Sequence, residues 1–144
     1  MITESQYVYQ DEDDITHIFF LNAGKCSFVL PKHDQINYIN IDVGATFGTI
    51  DIIGSILKHS EGYEMLNDWI THKDKMKRQF TVCSKDVKCE LLAISIMDLW
   101  KMKNEFLESY EAIFDDSYIK LYRTLRVKLR AMKHCQDILD REVK

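Results

Sequence analysis

Residues 44–54 read GATFGTIDIIG, and this stretch decides how the rest of the chain is read. Gly44 and Gly48 bracket Phe47, and an apolar run follows at once. A glycine turn that ends a strand and opens a helix leaves backbone N–H groups unpaired at the helix start, a ready-made site for an anion. Asp51 falls where that anion would sit. An acid in the first turn of a helix is also favourable by itself, by about 0.3–1 kcal/mol. Asp51 therefore reads either as a capping charge that faces solvent or as an internal replacement for the anion.

Upstream of this stretch the pattern is that of short strands. YVYQ (7–10), ITHIFFL (15–21) and KCSFVL (25–30) are rich in β-branched and aromatic residues, broken by Asp11–Asp14 and by the Asn22–Gly24 turn. INYINI (36–41) alternates, with Ile36, Tyr38 and Asn40 on one face and Asn37, Ile39 and Ile41 on the other. Downstream, QFTVCS (79–84) and CELLAI (89–94) form another pair around the polar turn Lys85–Lys88. Short strands joined by tight turns predict an antiparallel sandwich, roll or barrel. Between them, about 54–77 carries Ile56, Leu57, Tyr63, Leu66, Trp69 and Ile70 partly at helical spacing. This predicts one or two inserted amphipathic helices with a break at Gly62.

From Ser95 the chain reads as helical to about residue 140. Ser95 and Asp98 have capping-box spacing. Phe106, Tyr110, Phe114, Tyr118, Leu121, Leu125, Leu129 and Met132 then recur at steps of three or four, one stripe along about seven turns. A helix of that length outreaches a small β core. It either wraps over its own domain or offers its far end to another subunit, which makes a homo-oligomer through this helix an expectation. Lys120, Arg123, Arg126, Lys128, Arg130 and Lys133 occur with no acid between Ser117 and Gln136. Such a run is a solvated face or a basic amphipathic surface for an acidic partner, calmodulin or anionic lipid.

Composition bounds the function. The 144 residues carry 46% apolar and 29% charged side chains with a net charge of −4, which fits one globular domain and argues against nucleic acid as a partner. The N-terminal MITESQYVYQ lacks a signal-peptide pattern, and no apolar run approaches a membrane span, so a cytoplasmic location is expected. That includes the cytosolic part of a membrane protein. Cys26, Cys83, Cys89 and Cys135 have no CxxC spacing and read as buried reduced thiols ahead of a metal or disulfide framework. The five histidines form neither HxH nor HExxH, and no nucleophile–base pair stands out. Binding rather than catalysis is the expected chemistry, with no metal and no resident cofactor.

The order of these pieces resembles the cyclic-nucleotide-binding domains. DDITHIFFLNAGKCSFVL looks like the opening strand pair of that family, with Gly24 in the tight turn. YINIDVGATFGTIDII resembles the strand, glycine turn and FGE-type start of its phosphate-binding cassette. RQFTVCSKDVKCELLAISIMDLWKM resembles the following arginine, strand pair and first C-terminal helix. The resemblance covers about residues 7–135, and the style of 95–134 is closest to the regulatory domains of cyclic-nucleotide-gated and related voltage-gated cation channels. It implies an α+β fold in a single domain, 1–144. An antiparallel, jelly-roll-like β roll over about 7–94 would hold the helical insertion, and C-terminal helices over about 95–140 would form a lid. It implies a ligand, cyclic AMP or cyclic GMP, and a tethered channel or kinase effector moved by the lid.

Carried onto this chain, the cassette comprises Phe47 and Gly48, which set the turn, and Thr49 at the ribose-binding glutamate. Ile50, Asp51 and Ile52 are the helix-start amides, Arg78 is the phosphate-binding arginine, and Gln79 follows it. Three departures alter the chemistry. Thr49 loses a charge-assisted bond to the ribose, usually worth about 1.5–3 kcal/mol. Asp51 places a carboxylate about 4 Å from a phosphate, at a cost of about 1–4 kcal/mol. Arg78 is separated from the cassette by the long stretch 50–77. Together the first two changes predict cyclic nucleotide affinity lowered by roughly two to four orders of magnitude. Two functions follow: a sensor that binds weakly or not at all, or a degenerate scaffold that docks partners through its inserted and basic helices. The sharpest expectation is that Asp51 pairs with Arg78 in place of a phosphate.

Overall fold

A computed structural model describes residues 6–58, 73–85 and 88–143. The fold is α+β: among the described residues it has two antiparallel sheets and three α-helices, the last of them long. Seven strands are present among the described residues: β1 (Tyr7–Tyr9), β2 (His17–Ala23), β3 (Cys26–Leu30), β4 (Ile36–Ile41), β5 (Thr46–Phe47), β6 (Thr81–Ser84) and β7 (Glu90–Ser95). One sheet has the order β1-β6-β3-β4, the other β5-β2-β7, and every pairing is antiparallel. The helices are α1 (Ile50–Lys58), α2 (Ile96–Glu105) and α3 (Leu107–Val143).

The strands lie where runs of β-branched and aromatic residues meet turn residues. Gly24 turns β2 into β3 with φ +90°, a backbone region that costs glycine little. β3, flanked by β6 and β4, is buried at every position. The alternation expected for 36–41 is broken. Phe28 pairs with Ile39 and Val29 with Asn37, so Tyr38 sits at an irregularity in the ladder. There Tyr38 and Ile39 both pack against the core, and the Tyr38 ring lies 6.1 Å from that of Phe28. β5 is too short to announce itself; it pairs Phe47 with Phe19, whose rings stack at 5.6 Å.

The inserted helix begins earlier than its apolar spacing indicates. α1 opens at Ile50, inside the glycine-flanked stretch, and runs through Gly54. Ile50, Ile52, Ile53 and Ile56 are buried and join Ile18, Leu21, Met76, Phe80 and Val82 in the core. The positions expected to continue this insertion, Tyr63, Leu66, Trp69, Ile70 and the Gly62 break, lie outside the described residues.

The C-terminal segment divides at Phe106. Ser95 caps α2, its hydroxyl accepting from the Asp98 N–H at 3.1 Å. Phe106, placed on the apolar stripe by its spacing, instead lies between the helices with extended φ (−136°) and is 60% exposed. α3 is 37 residues long, about 55 Å, and packs on α1, α2 and β4. Its docked face follows Tyr110, Phe114, Ser117, Leu121, Thr124, Lys128 and Cys135, all buried or half-buried. Leu125, Leu129 and Met132, expected on that stripe, are exposed instead. The contact is carried by a mixed polar and apolar row, which an apolar periodicity cannot reveal. No helix among the described residues is long and apolar enough to cross a membrane.

Candidate functional site

Phe47, Gly48, Thr49, Ile50, Asp51 and Ile52 are all buried, as is Arg78, and Gln79 is half-buried. The candidate cassette thus faces the interior. Despite the long intervening stretch, Arg78 returns to it. An antiparallel bridge between Asp14 and Lys77 and backbone bonds from Glu12 N to Arg78 O (2.8 Å) and from Arg78 N to Asp13 O (2.9 Å) fix its position.

Arg78 is 2% exposed and Asp51 is 0% exposed. The Arg78 Nη1 group donates to Asp51 Oδ2 at 3.1 Å and to the Gly48 carbonyl at 2.7 Å, while Nη2 donates to the His17 carbonyl. Its guanidinium carbon lies 3.9 Å from the centre of the Tyr9 ring, a cation–π platform. The other carboxylate oxygen, Asp51 Oδ1, accepts from the Gln79 N–H at 2.6 Å. Both terminal nitrogens of the guanidinium are therefore engaged by a carboxylate and two carbonyls, while Arg78 Nε is buried without a partner.

Burial pushes the Asp51 carboxyl above its ordinary value, opposed by the Arg78 guanidinium and the backbone donors of Gln79 and Phe80. Both oxygens face donors, which offset part of the desolvation that raises it. The Tyr9 phenol is likewise raised, first by burial and then by the Asp51 charge.

Two glycines shape the pair. Gly48 has φ +96°, and a Cβ there would lie 3.1 Å from Arg78 Nη1. Its close approach is made to the arginine. Gly54 gives room to the Gln79 amide, which a Cβ would meet at 2.6 Å, so Gln79 packs on α1.

α3 seals the site. The Ser117 hydroxyl donates to the Ile113 carbonyl at 2.6 Å and accepts from the Thr49 hydroxyl at 2.5 Å. The Thr49 oxygen, expected to face a ribose, is engaged by the helix. Further along, Lys128 Nζ donates to the Gln79 carbonyl at 2.8 Å and sits 5.0 Å from the Phe80 ring centre. Burial lowers its pKa, with Asp11 and Asp51 pulling the other way. Beside this seam a cleft of about 320 Å³ remains. Apolar Phe28, Ile39 and Phe47 and the edge Gly48–Ile50 line it, and Lys120 and Arg123 of α3 contribute cations; Asp51 and Arg78 lie outside its lining.

Sequence reasoning brought Asp51 and Arg78 together. It did not find Tyr9, the His17 carbonyl, Ser117 or Lys128 as parts of the same arrangement. The carbonyl carries no sequence signal, and Lys128 was one cation in a run of six. Asp14 of the acidic turn pairs with Lys77. Among the described residues no group of three or more His, Cys, Asp or Glu side chains is arranged to hold a metal ion. Neither a protein-family model nor a curated protein matches the chain.

Proposed function

We propose that the chain is a regulatory module of the cyclic-nucleotide-binding-domain kind in which Asp51 has replaced the ligand phosphate. The long C-terminal helix is then held on the roll without a nucleotide. The observation that carries this reading is the buried Asp51–Arg78 pair, closed by the Gly48 and His17 carbonyls and the Gln79 N–H. A cyclic phosphate entering there would have to displace a carboxylate bonded on both oxygens and would meet its charge in a low-dielectric site. The Thr49–Ser117 and Lys128–Gln79 bonds couple the cassette to α3, so α3 is the element whose docked and released states would signal to a tethered channel or kinase on the cytosolic side. The module binds and transmits; it is not an enzyme on this reading.

One observation favours a second reading. The cleft lined by Phe47–Ile50, Lys120 and Arg123 leaves room for a ligand that does not use Arg78, so a weak sensor of cyclic AMP or cyclic GMP is the runner-up. Calorimetric titration with both nucleotides separates the two. The first reading expects no saturable heat into the millimolar range. Micromolar binding by the unmutated chain overturns it, and weak binding abolished by Arg123→Ala favours the second.

A further inference from the structure

Cys26 opens β3 of the four-stranded sheet, and Cys89 immediately precedes β7 of the three-stranded sheet. Their sulfurs lie 3.4 Å apart. The backbone brings them there: β2 pairs with β7 as far as Ala23 opposite Glu90, and Gly24 then passes so close that a Cβ on it would lie 2.6 Å from Cys89 Cα. Both thiols are free. Cys89 is half-buried, and a polar cavity of about 480 Å³, lined by Lys25, Asn37, Asn40 and Lys85 among others, reaches Cys26. Small water-borne reagents thus reach Cys26 from the side that carries two lysines, and Cys89 through its own partial exposure.

We propose that Cys26 and Cys89 form a reversible disulfide that clamps the two sheets together at the entrance to β7. The oxidant is a hydroperoxide. The more accessible Cys89 thiolate attacks its oxygen, giving a sulfenic acid and releasing the hydroperoxide as an alcohol, or as water from hydrogen peroxide. The Cys26 thiol then attacks the Cys89 sulfur; the S–S bond forms, the S–O bond breaks, and the hydroxyl leaves with the Cys26 proton as water. Two thiols and one peroxide become one disulfide and two waters. A dithiol reverses the step by exchange. Burial and the neighbouring Cys89 thiol push Cys26 up to about 12, which leaves the more exposed Cys89 as the sulfur that meets the peroxide first. The sulfurs must close from 3.4 Å to about 2.05 Å, a movement within reach of the two side-chain torsions. Because β7 runs directly into the Ser95 cap of α2, the clamp fixes the strand that leads into the C-terminal helices.

The test treats the reduced full chain with hydrogen peroxide, then titrates free thiols after denaturation and maps the peptides by mass. The expected result is loss of two of the four thiols, a linked peptide joining Cys26 to Cys89, recovery of all thiols with dithiothreitol, and a higher Tm for the oxidised form. Cys89→Ser removes the link and the Tm rise, whereas Cys135→Ser keeps both. Sulfinic acid at Cys89 without a linked peptide, or links formed only between molecules, overturns the proposal. Because the peptide map of the unmutated chain decides alone, a variant that fails to fold leaves the outcome intact.

Discussion

Replacing Asp51 with alanine removes the carboxylate that faces Arg78 while leaving the Gly48 and His17 carbonyls in place. The guanidinium then stays buried with its charge uncompensated, and the Gln79 N–H loses its acceptor. Breaking a buried pair from one side costs about 3–5 kcal/mol. For a chain of this size that corresponds to a Tm lower by roughly 6–20 °C. The double variant Asp51→Ala/Arg78→Ala should cost less than the sum of the single changes, by about 1–3 kcal/mol, because the second deletion removes the charge that the first left stranded. Urea denaturation of the four proteins measures this directly. The same deletion frees the Arg78 Nη1 bond made to the carboxylate and removes a repulsion of about 1–4 kcal/mol against a phosphate. Asp51→Ala should therefore bind cyclic AMP roughly ten- to a thousandfold more tightly than the parent, and the nucleotide should restore part of the lost Tm. Additive single and double variants, or an Asp51→Ala protein as stable as the parent, would refute the pairing.

Other outcomes follow from the same geometry. Since burial raises the Asp51 carboxyl above its ordinary 3.8, the folded chain holds that proton more tightly than the unfolded chain. This group's contribution is full below 3.8 and is lost as pH rises through the folded value; the stability of the parent relative to Asp51→Asn, followed by urea titration across pH, should fall with rising pH, and a rise would contradict the assignment. Gly48→Ala, with φ +96° and a Cβ 3.1 Å from Arg78, should cost about 1–3 kcal/mol. Gly44→Ala, whose Cβ meets nothing within 4 Å, should cost about 1 kcal/mol in the same denaturation assay. Phe114→Ala should cost about 3–5 kcal/mol, because its ring packs in the core beside Tyr110 at 4.7 Å. Ser117→Ala with Lys128→Ala should raise hydrogen exchange along α3 while β2 and β3 stay protected, since these side chains tie α3 to Thr49 and Gln79.

Much of the sheet was legible because its strands are β-branched runs ended by turn residues. The limits are equally physical. The irregularity at Tyr38 arises from pairing with β3 and has no local signal, and two residues, Thr46 and Phe47, cannot display a period. The glycine turn made the start of α1 at Ile50 legible, and the packing of Ile50, Ile53 and Ile56 carries the helix through Gly54. The docked face of α3 contains Ser117, Thr124 and Lys128, whose polar atoms are bonded or half-buried where apolar side chains were expected. In the candidate site, the resemblance to a phosphate-binding cassette made Asp51 and Arg78 legible as a pair. Their main-chain acceptors and the Tyr9 platform come from distant segments and required the fold. Cys26 and Cys89 are likewise neighbours only because the two sheets meet at the Gly24 turn.

A crystal structure of the unmutated chain grown in saturating cyclic AMP tests the central claim most directly. The account predicts Arg78 Nη1 on the Asp51 carboxylate and the Gly48 carbonyl, Thr49 bonded to Ser117, and no phosphate within hydrogen-bonding distance of the guanidinium. A nucleotide phosphate seated on Arg78, with the Asp51 carboxylate turned away, would contradict it.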